Sequence, residues 1–268
     1  MFTVQNIETL VREIRRRYNL PESPFKIDEV RYEEGEDKLF IIAHDRTDKS
    51  VVIGNSLVIG KLRERLKVKQ VTVYSTLDLL IKRKKLEEAE RLVMGTKPEF
   101  LKPIIEAEKR FPPRKWPNTK GNLKTLVFLS FNARPLRGFA ERLGLPHWTV
   151  GLRHTFPEME YEPVDGSLKE LFFPDERKLL SLAKRKNTEL ILADFPFPLK
   201  EEKGLYLLNP FRLLHIGFFE LKYFFGFEFP TMVDHEALVE FIARLTYDGL
   251  MESTDGAKVI WRYWRRRR

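Results

Sequence analysis

The stretch Asp48–Val73, DKSVVIGNSLVIGKLRERLKVKQVTV, decides the fold of the first part of the chain. It predicts a short helix, a tight glycine turn over Ile53–Ser56, a second helix and then a strand. Basic residues crowd around this turn: Lys49, Lys61, Arg63, Arg65, Lys67 and Lys69. A phosphate can approach the backbone closely only where side chains are small, so we expect this element to bind nucleic acid, with RNA as the ligand. The alternative is that Gly54 only permits a tight turn and that water solvates the charges.

The residues before this stretch predict one helix and two strands. Apolar residues at helical spacing indicate a helix over residues 4–18, and alternating residues indicate strands at Ile27–Glu34 and Lys38–Asp45. With the strand Gln70–Ser75, the predicted order over residues 1–75 is helix, strand, strand, helix, helix, strand. This order resembles the type II KH domain, whose GxxG loop between two helices clamps a short run of nucleotides.

The resemblance extends to archaeal proteins in which a PP-loop ATPase-like domain follows the KH module. It implies an RNA-binding turn made of the following residues: Gly54, Asn55 and Ser56, with Lys49, Lys61 and Arg65 beside them. The sequence departs from the family loop at one position, because Leu57 replaces the second glycine. Binding then rests on the basic side chains, or the loop contacts protein instead.

Composition limits the classes of function. A hydrophobic content of 43% supports a folded core, and a formal net charge of +9 favours a polyanionic partner over an acidic small molecule. The absence of cysteine excludes disulfides, zinc ribbons, iron–sulfur clusters and thiol catalysis. Together with the abundance of Lys, Arg and Glu, it suits a thermophilic intracellular protein. No signal sequence or membrane span is predicted, so we expect a cytoplasmic protein without membrane association.

A long helix is predicted over residues 76–94. Its apolar side is formed by Leu77, Leu80, Ile81, Ala89 and Leu92. The basic run Lys82-Arg83-Lys84-Lys85 is expected on the exposed part, either as a solvated face or as a contact for RNA phosphates.

The segment Phe111–Gly121, FPPRKWPNTKG, has the composition of a linker. We therefore divide the chain into a KH-like RNA-binding domain with trailing helices, residues 1–112, and a second domain, residues 113–268. Strands of the second domain are predicted at Leu123–Leu129, His147–Leu152 and Glu189–Ala193. They alternate with helices, which predicts a parallel sheet with covering helices. The expected fold class is α/β, with an α+β first domain and a Rossmann-like second domain.

The ligand site of such a sheet lies where the first strand turns into the first helix, here Ser130–Pro135. The position resembles the S-G-G-x-D-S loop of PP-loop ATP pyrophosphatases, but only Ser130 of that motif is present. Phe131 would block a phosphate, and Pro135 has no N–H group to offer it. We therefore expect a degenerate PP-loop domain without catalytic residues, cofactor or metal.

Other polar residues of the second domain leave two interpretations open. We expect Arg134 and Arg137 to contact RNA; in the alternative, they hold nucleotide phosphates in a divergent but working site. Asp194, which follows the strand Glu189–Ala193, is either a site carboxylate or, as we favour, the cap of a turn. The five histidines lack the spacing of metal ligands.

The end of the chain is rich in aromatic residues. The segment Phe211–Phe229 predicts a helix that is apolar on most sides, and it is either buried or a homodimer face. A helix over His235–Tyr247 is followed by two predicted strands, Gly249–Thr254 and Lys258–Tyr263, around a hairpin turn at Asp255-Gly256. Aromatic residues interleaved with arginines can stack on bases and bind phosphates together. The tail residues expected to bind RNA are Arg262, Trp264, Arg265, Arg266, Arg267 and Arg268.

These observations predict a non-enzymatic RNA-binding protein. Large structured RNA is the expected target, and a factor that regulates translation on a ribosomal subunit, through ribosomal RNA and ribosomal proteins, fits the charge. The first alternative is an ATP-dependent RNA-modifying enzyme that holds tRNA with its KH-like part. The second is a protein–protein adaptor whose KH-like fold no longer binds RNA.

Overall fold

The computed structural model describes residues 2–265, apart from the side chains of Phe219, Lys222 and Tyr223. Three predicted RNA-binding residues, Arg266, Arg267 and Arg268, lie outside the described residues. The chain divides into two compact units, Met1–Glu87 with Glu106–Trp116, and Glu88–Ile105 with Pro117–Arg268. Residues 88–105, which the sequence analysis placed in the first domain, group with the second unit.

The part of the first unit that precedes α4 contains three α-helices and a three-stranded sheet. In chain order these elements are α1 (Val4–Arg17), β1 (Ile27–Glu33), β2 (Lys38–Ala43), α2 (Arg46–Ile53), α3 (Leu57–Leu66) and β3 (Gln70–Ser75). This order confirms the sequence prediction for the first 75 residues. The strand order is β1-β2-β3, with β1 antiparallel to β2 and β2 parallel to β3.

Both faces of the central strand β2 are covered. On one face, Leu39 and Ile41 are buried in a core formed with apolar residues of α1, α2 and α3. On the other face, the ring centroid of Phe111 lies 6.4 Å from that of Phe40 and 5.2 Å from that of Tyr74 on β3. Residues 106–116 therefore close the sheet face that the helices leave open.

Helix α4 (Thr76–Val93) is followed by a 3-10 turn at Lys97–Leu101 and by α5 (Lys102–Lys109). The orientation of α4 differs from the prediction. Its buried stripe consists of Lys82, Leu86, Ala89 and Val93, spaced as one helical face. Of the predicted apolar side, only Ala89 is buried, and the other members are exposed: Leu77, Leu80, Ile81 and Leu92. This orientation buries Leu86, Ala89 and Val93 and brings Lys82 into a buried ion pair with Glu108.

The second unit contains the predicted parallel sheet, which confirms the α/β fold class. Its elements are β4 (Thr125–Leu129), α6 (Ala133–Arg142), β5 (His147–Leu152), β6 (Glu162–Val164), α7 (Glu176–Arg185), β7 (Leu190–Leu192), β8 (Leu199–Glu202) and β9 (Leu205–Leu208). The strand order is β6-β5-β4-β7-β9-β8, and all neighbours are parallel except β8 and β9. Every residue of the central strand β4 is buried, as expected for a strand with both faces covered.

The segment Phe211–Phe229 forms two short helices instead of the single predicted helix. They are α8 (Pro210–Leu213) and α9 (Phe218–Phe224). Between them His215 adopts a left-handed conformation, with φ +46°, which ends the first helix. Every side chain of this segment that the structure describes is buried or half-buried.

The predicted C-terminal hairpin was wrong, because the residues form a helix. Helix α10 (His235–Tyr247) is followed by α11 (Ser253–Arg265). Gly256, Val259 and Tyr263 are buried at helical spacing. A Cβ atom on Gly256 would lie 2.6 Å from Ile242 Cγ2, so glycine lets α11 pack closely against α10. No helix within the described residues is long and apolar enough to cross a membrane.

Candidate functional site

The turn between α2 and α3 has three consecutive residues in the left-handed conformation. Gly54, Asn55 and Ser56 have φ values of +51°, +54° and +70°. The Gly54 N–H group donates a 3.0 Å hydrogen bond to the carbonyl of Ser50 and so ends α2. A Cβ atom on Gly54 would lie 2.9 Å from Val58 Cβ, closer than side-chain atoms approach. Gly54 is therefore required by conformation and by packing.

The basic residues predicted to bind RNA at this turn are held by carboxylates. Lys49 Nζ lies 3.0 Å from Asp78, Lys61 Nζ lies 2.7 Å from Glu64, and the Arg65 guanidinium lies 2.9 Å from Glu13. Burial alone would raise the pKa of Asp78, but the charge of Lys49 and hydrogen bonds from Ser75, Lys49 and Arg46 lower it. The neighbouring cations are exposed and have no ion pair within the described part of the chain: Arg63, Lys67 and Lys69. Arg63 lies in the last turn of α3, and Lys67 and Lys69 follow that helix, so these three cations are at the end of α3 that is remote from the Gly54 turn.

The basic run on α4 is split between a buried and an exposed part. Arg83, Lys84 and Lys85 are exposed, as predicted, whereas Lys82 is buried. Lys82 Nζ lies 2.7 Å from Glu108 and 4.4 Å from the ring centroid of Phe111. Lys82 therefore holds the first unit together, and its ammonium group is not exposed to a phosphate.

Glu108 is the centre of this buried cluster. It also accepts a 2.6 Å hydrogen bond from the Trp116 indole and pairs with Arg114. Burial alone would raise the pKa of Glu108, but the charges of Lys82 and Arg114 lower it to about 2. The cluster fixes residues 106–116 in place.

The loop between β4 and α6 occupies the predicted ligand position at the carboxyl end of the sheet. Its first three N–H groups all donate to protein acceptors. Ser130 donates to the Phe128 carbonyl and Phe131 to the Leu171 carbonyl, both at 2.8 Å, and Asn132 donates to Asp194 at 2.7 Å. These groups are therefore not available to a nucleotide phosphate.

The Phe131 side chain fills the space above this loop. It is fully buried, with ring centroids of five other phenylalanines 5.3–6.2 Å away: Phe172, Phe218, Phe227, Phe229 and Phe241. From the sequence, Phe131 was predicted to block a phosphate. In the structure its ring is packed within an aromatic core.

Asp194 joins the ends of two neighbouring strands. Its carboxylate accepts hydrogen bonds from the Ser130 hydroxyl at 2.8 Å and from the Asn132 backbone and side-chain amides at 2.7 Å. Burial raises the pKa of Asp194, although these hydrogen bonds and the charge of Arg212 act in the opposite direction. The sequence interpretation that was favoured for Asp194 is the cap of a turn; the groups that its carboxylate accepts from lie on the loop after β4.

Little space remains at this end of the sheet. A cavity of about 10 Å³ lies beside Asn132, Asp194 and Asn209, near the size of one water molecule. The two arginines of the alternative nucleotide site pair with carboxylates: Arg134 with Glu228 at 3.4 Å and Arg137 with Glu141 at 2.8 Å. Residues 2–265 contain no group of three or more potential metal ligands in the described side chains.

Helix α11 presents an aromatic and basic surface. The exposed fractions of Trp261 and Trp264 are 55% and 66%. The Arg265 guanidinium lies 4.0 Å from the ring centroid of Trp261, and that of Arg262 lies 4.2 Å from the centroid of Phe229. We call Trp261, Trp264 and Arg265 the α11 platform. Trp261 was not among the predicted site residues, and its contact with Arg265, four residues further on, depends on the helix that forms where a strand was predicted.

Comparison with known proteins adds no relative. The chain matches none of the protein-family models, curated proteins or solved structures with which it was compared.

Proposed function

We propose that this chain is a non-enzymatic RNA-binding protein. The α11 platform is the observation that carries the proposal. Two exposed indole rings one helical turn apart offer flat surfaces on which bases can stack, and the guanidinium of Arg265 adds a positive charge beside one of them. The net charge of +9 supports attraction of a polyanion over long range.

The carboxyl end of the sheet supports a binding function without nucleotide chemistry. A loop that holds pyrophosphate offers free backbone N–H groups at close range. In this chain the N–H groups of Ser130, Phe131 and Asn132 donate hydrogen bonds to protein acceptors, and the Phe131 ring is buried. Opening this loop would remove Phe131 from the aromatic core and break the hydrogen bonds to Asp194.

The proposed partner is the ribosome, through ribosomal RNA and ribosomal proteins, and the proposed role is regulation of translation in the cytoplasm. The element order of the first unit, which resembles a type II KH domain, supports an RNA partner. Arg63, Lys67 and Lys69, at the C-terminal end of α3, are exposed and available for phosphates. A homodimer face was also proposed at Phe211–Phe229. Each described side chain of this segment is buried or half-buried, so only part of its surface is available to a second copy.

The experiment that tests RNA binding compares three aromatic substitutions in the full chain. Trp261→Ala and Trp264→Ala are each expected to weaken binding of a labelled single-stranded RNA about tenfold, because each removes a stacking surface. Tyr247→Ala is the matched control, since Tyr247 is an exposed aromatic residue on α10. Equal affinities for all three variants and the unmodified chain would contradict the proposal.

One observation favours the alternative, an ATP-dependent RNA-modifying enzyme. The carboxylate of Asp194 and the unpartnered Asn132 Oδ1 lie at the strand ends, where α/β enzymes bind ligands. Calorimetric titration with magnesium ATP separates the two functions. We expect no heat of binding, and micromolar affinity for ATP would establish the alternative.

A further inference from the structure

Helix α4 carries apolar side chains on its solvent face. The exposed fractions are 45% for Leu77, 53% for Leu80 and 56% for Met94. Met94 continues the helical path, because its N–H group donates a 3.1 Å hydrogen bond to the carbonyl of Glu90. Large apolar side chains on the exposed face of a single helix indicate an interaction surface.

The exposed residues of this face follow the spacing of a helix–helix seam. They alternate in steps of three and four residues, and all six are exposed: Leu77, Leu80, Lys84, Glu87, Arg91 and Met94. This is the repeat of the two inward positions of a heptad, and it lies opposite the buried stripe of α4. We call these six residues the α4 seam.

The α4 seam is complementary to itself when two copies run antiparallel. In that arrangement a residue at heptad position a of one helix faces a residue at heptad position d of the partner helix. Leu77 then meets Met94 of the second copy, Leu80 meets the aliphatic stem of Arg91, and Lys84 meets Glu87. Each contact occurs twice because of the twofold axis. A parallel pair would instead place Lys84 against Lys84 and Glu87 against Glu87, which repel.

We propose that the α4 seam is the interface of a homodimer in which α4 of one copy packs antiparallel against α4 of a second copy. Charge complementarity indicates that the partner is a second copy of this chain. In an antiparallel pair, Lys84 of each copy faces Glu87 of the other. A helix of 18 residues is about 27 Å long. An interface of this length is small, so the dimer is expected to dissociate in the micromolar range.

Sedimentation equilibrium of the RNA-free full chain, from about 1 to about 200 µM, tests this interface. Lys84→Glu and Glu87→Lys are each expected to weaken dimerisation at least about tenfold, because each replaces the two opposite-charge contacts of the dimer with two like-charge contacts. The double variant Lys84→Glu/Glu87→Lys restores opposite charges and is expected to dimerise like the unmodified chain. Lys203→Glu, an exposed charge reversal in the second unit, is the control.

The results separate this interface from others. Loss of the dimer in both single variants with recovery in the double variant supports the α4 seam. A chain that remains monomeric over the whole range overturns the proposal. A dimer that both single variants leave intact also overturns it and assigns dimerisation to another surface. Circular dichroism of each variant verifies that α4 remains folded.

Discussion

The hydroxyl of Ser130 donates a 2.8 Å hydrogen bond to the buried carboxylate of Asp194, which joins the end of β4 to the end of β7. The same serine oxygen accepts a 3.0 Å hydrogen bond from the Asp194 N–H group. In an α/β sheet these ends form the usual ligand site. Here Ser130, the amide N–H groups of Asn132 and Asp194 form hydrogen bonds with one another, so this edge contributes to stability.

Replacing Asp194 by alanine should therefore destabilise the chain. Asp194→Ala leaves the Ser130 hydroxyl and two Asn132 amide groups buried without their acceptor, at a cost of about 3 kcal/mol in the free energy of unfolding. Urea denaturation measures the change. Asp165→Ala removes an exposed carboxylate and should change the free energy by less than about 0.5 kcal/mol. Equal stability of the two variants would show that the strand-end hydrogen bonds contribute nothing.

The buried cluster around Glu108 predicts a loss of stability in acid. The pKa of Glu108 is about 2 in the folded chain, below its ordinary 4.5. A carboxylate with a lowered pKa adds stability that is complete above pH 4.5 and is lost as the pH falls towards 2. The shift corresponds to about 3 kcal/mol. Urea denaturation at several pH values, followed by circular dichroism, measures the loss.

Glu108→Gln provides the test of this pH dependence. It should lower the free energy of unfolding at neutral pH by about 3 kcal/mol, because Lys82 and Arg114 lose their buried partner. It should also flatten the dependence between pH 2 and 4.5. Glu106→Gln, a partly exposed neighbour on α5, is the control and should change neither. An unchanged acid transition in Glu108→Gln would exclude Glu108 as its cause.

Two glycines in helices predict opposite effects of the same substitution. Gly256→Ala should destabilise the chain by about 1–3 kcal/mol, because the added methyl group would overlap Ile242 on α10. Gly60→Ala should stabilise it by up to about 1 kcal/mol, because a Cβ atom on Gly60 meets nothing within 4 Å and alanine favours a helix. Thermal denaturation compares both variants with the unmodified chain. The same sign of change for both would contradict the packing of α10 and α11.

The cations along α3 and at its C-terminal end should differ in their contribution to RNA affinity. Arg63 and Lys67 are exposed without an ion pair in the described structure, whereas Lys61 and Arg65 are paired with glutamates. For single-stranded RNA, Arg63→Gln/Lys67→Gln should reduce the slope of log affinity against log salt by about 1.4. Lys61→Gln/Arg65→Gln has the same charge change and should reduce it less. Equal reductions of the slope would mean that pairing with carboxylates does not keep Lys61 and Arg65 from binding RNA phosphates.

Local patterns were sufficient for much of the fold. Apolar periodicity and turn residues predicted the six elements of the first 75 residues and the parallel sheet of the second unit. The burial of Lys82 on the inner face of α4 could not be predicted, because its partner Glu108 is distant in sequence. The helix α11 was missed because Asp255-Gly256 is also a strong hairpin signal. Only the tertiary contact with Ile242 explains glycine at that position.

The candidate site was likewise predicted only in part, because some of its contacts join residues that are distant in sequence. The turn after β4 was located from its place after a buried strand, although it was predicted to extend to Pro135 and α6 already begins at Ala133. Phe131, which was expected to block a phosphate, is fully buried. The partners of Asp194 were not predictable, because they follow another strand and meet it only in the folded sheet. The ion pairs of Lys49, Lys61 and Arg65 likewise require knowledge of which carboxylates lie near.

The most direct test of RNA binding is a titration of labelled ribosomal RNA fragments with the full chain at a series of salt concentrations. The proposed function predicts binding whose log affinity falls linearly with log salt, because lysines and arginines displace counterions from phosphates. Absence of binding at low salt, or an affinity that salt leaves unchanged, would contradict it and would favour a protein–protein adaptor.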